Sequence, residues 1–233
     1  MVIWPFFSNF ACETPCNFVY VYYIRMRLLD LYSGTHSVGS VAKEMGFQVI
    51  SLDLSDADIC TNIMDWNFKE FATGYFDVIW ASPPCDTFSI ARFKNIGRHN
   101  ITRESIETDI LEIGLPLLRK TEEILEYFKP KYYFIENPDS GAMKRFINNR
   151  HYYVVDYCMY GFEYRKRTRI WTNLLDFEPK VCNKICGAFY NGKHIRSAIG
   201  GNTKQKGQGS GINKSLRYRI PPLLIKDLFS RLT

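Results

Sequence analysis

The sequence predicts an α/β fold built on a mostly parallel, doubly wound sheet. From Arg27 onward, short apolar runs alternate with segments whose apolar residues recur at helical spacing. The apolar runs end in glycine, proline or acidic residues, as strands do where they leave a sheet. Such alternation of strand and helix is typical of parallel sheets that carry helices on both faces.

The predicted elements follow this alternation in order. The predicted strands are RLLDLYS, FQVISLDL, FDVIWAS, KYYFIEN, YYVVDYCM and TRIWTN. The predicted helices are SVGSVAKEMG, then ETDILEIGLPLLRKTEEILEYFK, kinked or broken at Pro116, and finally the proline-led RIPPLLIKDLFSRL.

Composition limits the class of protein. The chain has 233 residues, of which 46% are hydrophobic and 23% charged, so we expect one folded domain rather than a disordered chain. A net charge of +6 permits a polyanionic partner without requiring one. Seven cysteines, an odd number at irregular spacings, argue against a secreted disulfide framework and for an intracellular protein.

Residues 1–25 are apolar and aromatic, but they predict neither a signal peptide nor a membrane span. Pro5, Pro15 and Glu13 interrupt the run, and no basic segment precedes it. We expect an extension outside the fold, or else an extra element packed on it, and a main domain over residues 26–233.

The turn after the first strand, LDLYSGTHSVG, predicts a ligand site. Gly34 lets the backbone approach a ligand, and a helix N-terminus follows. Its spacing from Gly39 differs from the three-glycine dinucleotide fingerprint, which argues against a nicotinamide cofactor. Asp53 ends the second strand, where an acid accepts hydrogen bonds from ribose hydroxyls. A nucleoside cofactor and a purely structural turn both remain open from these residues alone.

The stretch ASPPCDTFSIAR places Cys85 directly after two prolines. Proline cannot continue a sheet ladder, so we expect the strand to stop at about Trp80 or Ala81. Cys85 then lies on a stiff loop at the carboxyl edge of the sheet, where ligands bind in open α/β folds. It is a candidate nucleophile; the alternative is a small buried apolar residue.

Four elements in order, DLYSGTHSVG, SPPCDTFS, FIENP and YRKRTRIW, resemble the DNA cytosine-5 methyltransferase family, especially its compact viral and phage members. The resemblance runs from about Met26 to the C-terminus. It implies the S-adenosylmethionine-dependent methyltransferase fold, and methyl transfer to carbon 5 of cytosine in double-stranded DNA. The implied cofactor is S-adenosyl-L-methionine.

The resemblance also implies roles for individual residues. Cys85 would attack carbon 6 of cytosine, and Glu136 would protonate nitrogen 3, for which it needs a raised pKa. Arg167 and Arg169 would fix the base and the catalytic loop. The residues implied for substrate are Pro84, Ser89 and Asn137, and those implied for cofactor are Asp30, Tyr32, Ser33, Gly34, Gly39, Asp53 and Asp65.

The sequence departs from the family's pattern at several positions. Asp86 replaces a glutamine, and the glutamine before the arginine pair is missing. Residues 174–215 form a short insert in place of a full recognition domain, so specificity is relaxed or supplied by a protein partner. Lys204, Lys206 and Lys214 make either a solvated loop or one that contacts phosphates.

Two other functions stay open. An RNA cytosine-5 methyltransferase is less favoured, because the cysteine pair of those enzymes is placed differently. A catalytically silent DNA-binding member, acting as a partner subunit, would leave Cys85 and Glu136 as structural residues and YRKRTR as a solvated basic edge.

We predict no metal site. The open alternative is zinc held by Cys182, Cys186 and His194, for which Cys158 or another histidine would have to supply the fourth ligand. We further expect an intracellular location, in the cytoplasm or at the nucleus or viral replication site of a host, with no membrane association.

Overall fold

The structure is a computed structural model that describes residues 25–98, 100–198 and 214–233. Its strands, in chain order, are β1 (Arg27–Leu31), β2 (Gln48–Asp53), β3 (Ile59–Cys60), β4 (Val78–Ala81), β5 (Tyr132–Pro138), β6 (Tyr152–Asp156), β7 (Tyr164–Arg165), β8 (Arg167–Thr172), β9 (Phe189–Tyr190), β10 (Lys193–His194) and β11 (Arg196–Ser197). Its α-helices are α1 (Ser37–Glu44), α2 (Arg103–Asp109), α3 (Leu115–Phe128), α4 (Lys214–Tyr218) and α5 (Pro222–Phe229).

Seven strands form one sheet in the order β3-β2-β1-β4-β5-β8-β6. The neighbours from β3 to β5 pair in parallel, and β8 runs antiparallel to both β5 and β6. The sequence-based prediction of a mostly parallel sheet is therefore confirmed. The direction of β8 was not predicted, since periodicity shows that a strand exists but not which way it runs.

Helices cover both faces of this sheet. Alternating residues of each central strand enter two separate cores, so that Leu29 and Ile79 join one core while Leu28 and Trp80 join the other. Leu118 and Ile124 of α3 close the first core, and the buried faces of α1 and α5 close the second. Both faces of the parallel strands are buried, which explains their continuous apolar sequences.

The long helical segment is divided, but the break lies before Pro116. A π-helical turn over Ile110–Gly114 separates α2 from α3, and Pro116 lies in the first turn of α3. Its missing N–H costs nothing there, because the first-turn N–H groups have no partner within a helix. The turn brings Gly114 against Thr87 and Phe88, in the loop that follows Cys85.

A small lobe follows β8. Within it, β9 and β10 form an antiparallel hairpin, and β11 pairs in parallel with β7 beside the main sheet. The lobe falls in the predicted insert 174–215. Residues 199–213 of this insert, which include Lys204 and Lys206, lie outside the described part of the chain. The predicted extension lies outside it as well, apart from Arg25.

Across the described ranges, no helix is long and apolar enough to cross a membrane.

Candidate active site

A cleft of about 210 Å³ opens at the carboxyl edge of the sheet, where β1, β2, β4 and β5 end. This first cleft is lined by Asp30, Tyr32, Ser33, Gly34, Thr35, Ser37, Val38, Asp53, Ser82, Pro83, Pro84, Cys85, Asp86, Glu136, Asn137, Pro138, Lys166, Tyr218 and Ile220. Most residues that the sequence singled out for catalysis or cofactor binding therefore meet in one place.

The loop that carries Cys85 is anchored on both sides. The side-chain amide of Asn137 donates a hydrogen bond to the carbonyl oxygen of Pro83 at 2.9 Å. Beyond Cys85 the chain turns, with the N–H of Phe88 donating to the carbonyl of Cys85 at 3.1 Å. The Phe88 ring is fully buried in the first core. These contacts fix the position of the sulfur relative to the end of β5.

Burial is the main influence on the Cys85 thiol and raises its pKa. The carboxylates of Glu136 and Asp86 act in the same direction, while the ammonium of Lys166 opposes them. The thiol is thus held in its protonated form in the resting cleft. Lys166 is the positive charge that favours the thiolate.

Glu136 is 5% exposed and accepts two hydrogen bonds at the same oxygen, Oε1. The hydroxyl of Tyr157 donates at 2.9 Å and the ammonium of Lys166 at 3.5 Å. Burial raises the pKa of Tyr157 well above its ordinary value, so this hydroxyl keeps its proton and stays a donor. The carboxyl group is therefore held in one orientation within the cleft.

The structure does not bring Arg167 and Arg169 to this cleft. Arg167 donates to Asp156 at 2.8 and 3.1 Å, and Arg169 forms an ion pair of 2.7 Å with Asp139. Side chains alternate along a strand, so residues 167 and 169 share one face of β8. Glu136 lies opposite Ile170, on the other face. Lys166, on the same face as Glu136, lines the cleft instead.

The turn after β1 is held by two carboxylates. Asp53 accepts hydrogen bonds from the N–H of Gly34 at 2.9 Å and of Leu54 at 2.7 Å. Asp30 accepts the N–H of Gly39 at 3.1 Å, and its burial raises its pKa to about 7. Gly34 has a φ of +49°, a conformation that glycine adopts without strain. The sharp turn leaves the start of α1 facing the cleft.

A second cleft, of about 440 Å³, shares Tyr32, Asp53 and Pro84 with the first. Its remaining lining is Leu52, Leu54, Thr61, Asn62, Ile63, Met64, Glu112, Ile113, Pro116 and Leu117. Asp65, which the resemblance implied for the cofactor, lines neither cleft. Asn62, three residues earlier, does line the second cleft.

The residues present fit a nucleoside cofactor with a polar tail. The hydroxyl of Ser33 is buried and has no hydrogen-bond partner among the described residues, although Ser33 lines the first cleft. A buried hydroxyl without a partner costs free energy, which a ligand group reaching it would recover. Asp53 lies where the two clefts meet, with apolar side chains on the far side suited to a planar base.

The predicted substrate residues divide between the cleft and its surroundings. Pro84 and Asn137 line the first cleft, whereas Ser89 lies beyond the turn and does not.

Tyr218 was not predicted; its hydroxyl donates to both oxygens of Asp86 at 3.3 Å. It comes from the opposite end of the chain, so no local spacing pointed to it. Lys166, by contrast, follows from alternation along the strand.

The structure also changes the expectation of no metal site. It brings Cys158 beside Cys182, Cys186 and His194, so that four candidate ligands lie together.

Comparison with known proteins adds one extensive match. A protein of Frog virus 3 (isolate Goorha), named probable DNA (cytosine-5)-methyltransferase, is 42% identical over 217 residues, covering 87% of this chain and 98% of the viral protein. No protein-family model matches the sequence.

Two solved structures show partial likeness. One is a putative DNA modification methyltransferase encoded in an E. coli prophage, with a TM-score of 0.45 and 14% identity over 66% of this chain and 51% of the other. The second is a methyltransferase of Entamoeba histolytica, with a TM-score of 0.47 and 16% identity; the match covers 68% of this chain and 56% of the other. The chain spans about half the length of each.

Proposed function

Because this chain belongs to the DNA (cytosine-5)-methyltransferase family, we propose that it transfers a methyl group from S-adenosylmethionine to carbon 5 of cytosine in DNA. The observation that carries the proposal is the meeting of Cys85 and Glu136 in one cleft, from the ends of two adjacent strands. A thiol nucleophile and a carboxylic acid are the two groups that this reaction needs.

Cys85 begins the reaction. Carbon 5 of cytosine is a weak nucleophile, so Cys85, once its thiol has given its proton to solvent, first forms a bond from its sulfur to carbon 6. The electrons of the 5,6 double bond move into the ring, and Glu136 gives a proton to nitrogen 3 as this charge develops. Carbon 5 is then nucleophilic enough to take a methyl group. A solvent base takes the proton at carbon 5, which expels the thiolate of Cys85 and restores the 5,6 double bond, while nitrogen 3 returns its proton to Glu136.

Lys166 assists both groups. Its ammonium lowers the pKa of the Cys85 thiol against the effect of burial, and it lies within contact of Glu136. We assign to Lys166 an electrostatic role toward Cys85 and Glu136, which differs from the fixing of base and loop that the resemblance implied for Arg167 and Arg169. Tyr157 orients Glu136 through its hydroxyl.

S-adenosylmethionine supplies an electrophilic methyl group bound to a positively charged sulfur. Asp53 would hold the ribose hydroxyls at the junction of the two clefts, and the second cleft would take the adenine. Ser33, Gly34 and the start of α1 would face the amino-acid portion. We propose that Asn62, rather than Asp65, contacts the edge of the adenine.

The target base must leave the duplex to react. A cleft of about 210 Å³ admits a single base but not a double helix. We infer that Ser89 and the segment after it close over the extruded base. The short insert 174–215 would leave sequence specificity relaxed or dependent on a protein partner. An intracellular site of action, where viral or host DNA is present, follows from the proposed substrate.

Transfer of labelled methyl from S-adenosylmethionine to mixed-sequence duplex DNA, and in parallel to RNA, tests the proposal. We expect label in DNA, lost in Cys85→Ala and strongly reduced in Glu136→Gln. Cys60→Ala is the matched control, because Cys60 is exposed and lines neither cleft. Label in RNA alone would support the RNA enzyme. DNA binding without any transfer would support the silent binding module, and either result would contradict the proposal.

A further inference from the structure

We propose that Cys158, Cys182, Cys186 and His194 bind one structural Zn²⁺ ion. The four ligand atoms lie within 4.8 Å of one another, although they come from three separate stretches: the 3-10 helix after β6, the loop that carries Cys182 and Cys186, and the β9–β10 hairpin. The sulfurs of Cys182 and Cys186 are 3.5 Å apart, and Nε2 of His194 lies 3.4 and 3.3 Å from them.

These distances match the edges of a zinc tetrahedron. Zn–S bonds of about 2.3 Å and Zn–N bonds of about 2.0 Å place tetrahedral ligands roughly 3.6 to 3.8 Å apart. The three separations among Cys182, Cys186 and His194 differ from these edges by only a few tenths of an ångström, and Cys158 lies within 4.8 Å of all three. A disulfide would need the two sulfurs at about 2.05 Å. Four protein ligands leave no open position, so the site is structural rather than catalytic.

Local structure directs each ligand to one point. Cys158 lies in the short 3-10 helix Tyr157–Tyr160, directly after β6. Between Cys182 and Cys186 the backbone turns at Lys184, with a φ of +68°, and the N–H groups of Lys184 and Cys186 donate to the Cys182 sulfur. Such N–H···S contacts orient thiolate ligands around a metal.

His194 arrives on the β9–β10 hairpin. The hairpin turns at Asn191 and Gly192, whose φ values are +47° and +79°, as the tight two-residue turn of an antiparallel pair requires. The N–H of Ile195 donates to the carbonyl of Ala188 at 2.8 Å and fixes the register beside His194. The imidazole therefore faces the two cysteines on the preceding loop.

The lobe has too little apolar core to hold this arrangement by packing. Apart from the three cysteines, the only other buried member of its cluster in the described chain is Ala188, with Met159 and Phe189 partly buried against it. Ile185, between the ligands, is 77% exposed. Small lobes with cores of this size are commonly held by a metal.

Thiolate and imidazole ligands in tetrahedral geometry select zinc. An iron–sulfur cluster does not fit, because its ligands bind different iron atoms and cannot all converge on one point. The ion would also fix the lobe against the sheet. Asp156, at the end of β6, accepts the N–H of Cys182 at 2.8 Å while it binds Arg167.

The test is the metal content of the full chain, purified without chelators. Mass spectrometry of the native protein should show one zinc per chain, and X-ray absorption should show three sulfur neighbours and one nitrogen. These measurements on the unaltered protein do not depend on the folding of any variant, or on methyl transfer. Folded protein without zinc, or a Cys182–Cys186 disulfide, would overturn the proposal.

Variants then assign the ligands. Cys182→Ser and His194→Ala should reduce the bound zinc at least tenfold under competition with a chelator. Cys60→Ser, which alters an exposed cysteine outside the cluster, should retain one zinc, and so should the double variant Cys12→Ser/Cys16→Ser. Zinc that persists in Cys182→Ser, or that is lost in the Cys12→Ser/Cys16→Ser control, would place the ion elsewhere and overturn the assignment.

Discussion

The ammonium of Lys166 lies 3.5 Å from Oε1 of Glu136, in the cleft that also contains the Cys85 sulfur. One positive charge thus lies beside the proposed nucleophile and the proposed acid, which follow and end two adjacent strands. The residue stands one position before β8, on the opposite side of the strand from the arginines that neighbour it in sequence.

Replacing Lys166 with methionine should raise the pKa of Cys85, because the charge that opposes burial is gone. The alkylation rate of Cys85 should then rise only at higher pH, and methyl transfer near neutral pH should fall about tenfold for each unit of pKa. Lys166→Arg should retain much of the activity. Lys226→Met is the control, since Lys226 pairs with Glu44 on the surface. An unchanged alkylation profile in Lys166→Met would refute the assigned role.

Asn137→Ala should loosen the Cys85 loop. The substitution removes the hydrogen bond to Pro83 and leaves a buried carbonyl without its partner, which should cost about 1–3 kcal/mol of unfolding free energy. Urea unfolding measures this loss, and methyl transfer should fall more than DNA binding. Asn67→Ala removes only an exposed contact with Glu70 and should change neither. Equal stability of the two variants would show that the contact to Pro83 does not anchor the loop.

Gly114→Ala should disturb the Cys85 loop through Thr87 and Phe88, which Gly114 contacts. A Cβ atom at this position would lie 2.5 Å from Oγ1 of Thr87 and 2.8 Å from the ring of Phe88. Alanine normally favours a helix over glycine by about 1 kcal/mol, but an overlap of this size costs about 1–3 kcal/mol. We therefore expect net destabilisation and weaker methyl transfer. Gly187→Ala, where a Cβ meets nothing within 4 Å, provides the comparison, and a stabilised Gly114→Ala variant would contradict the described packing.

Asp30 should make stability depend on pH. Burial raises its pKa from about 3.8 to about 7, so the folded state holds a proton that the unfolded state has already lost. The stabilisation that this proton gives the folded state is therefore fully present below about pH 4 and is lost as pH rises to about 7. The unfolding free energy should fall by up to about 1.4 kcal/mol for each unit of difference between the folded and unfolded pKa. Asp30→Asn should flatten this decline in urea titrations from pH 4 to 8. Parallel curves for the two proteins would contradict the raised pKa.

The sequence predicted those features that depend on short stretches. Glycine, proline or acidic residues at the ends of apolar runs predicted that four residues follow or end strands: Gly34, Asp53, Cys85 and Glu136. The carboxyl edge of a parallel sheet brings such strand ends together. The fold class was confirmed for the same reason. The resemblance implied Arg167 and Arg169 for the site, whereas alternation along the strand places Lys166 on the face that Glu136 shares.

Contacts between distant segments could not be predicted in this way. Tyr218 reaches Asp86 from the far end of the chain, and Cys158 joins the Cys182 loop from the end of another strand. The Tyr218–Asp86 contact leaves no pattern in local spacing, and the sequence named Cys158 only as one of several candidates for a fourth ligand. Both depend on how the lobe and the C-terminal segment fold against the sheet, which is set by tertiary packing.

The most direct test of the central claim is covalent trapping of Cys85. Mixed-sequence duplexes containing 5-fluorocytosine, incubated with the protein and S-adenosylmethionine, should yield a denaturation-resistant protein–DNA adduct, because fluorine at carbon 5 cannot leave as a proton does. Peptide mapping should place the bond at Cys85, and Cys85→Ser should bind the duplex without forming it. Methyl transfer to ordinary DNA with no adduct on the fluorinated duplex, or an adduct at another residue, would contradict the account.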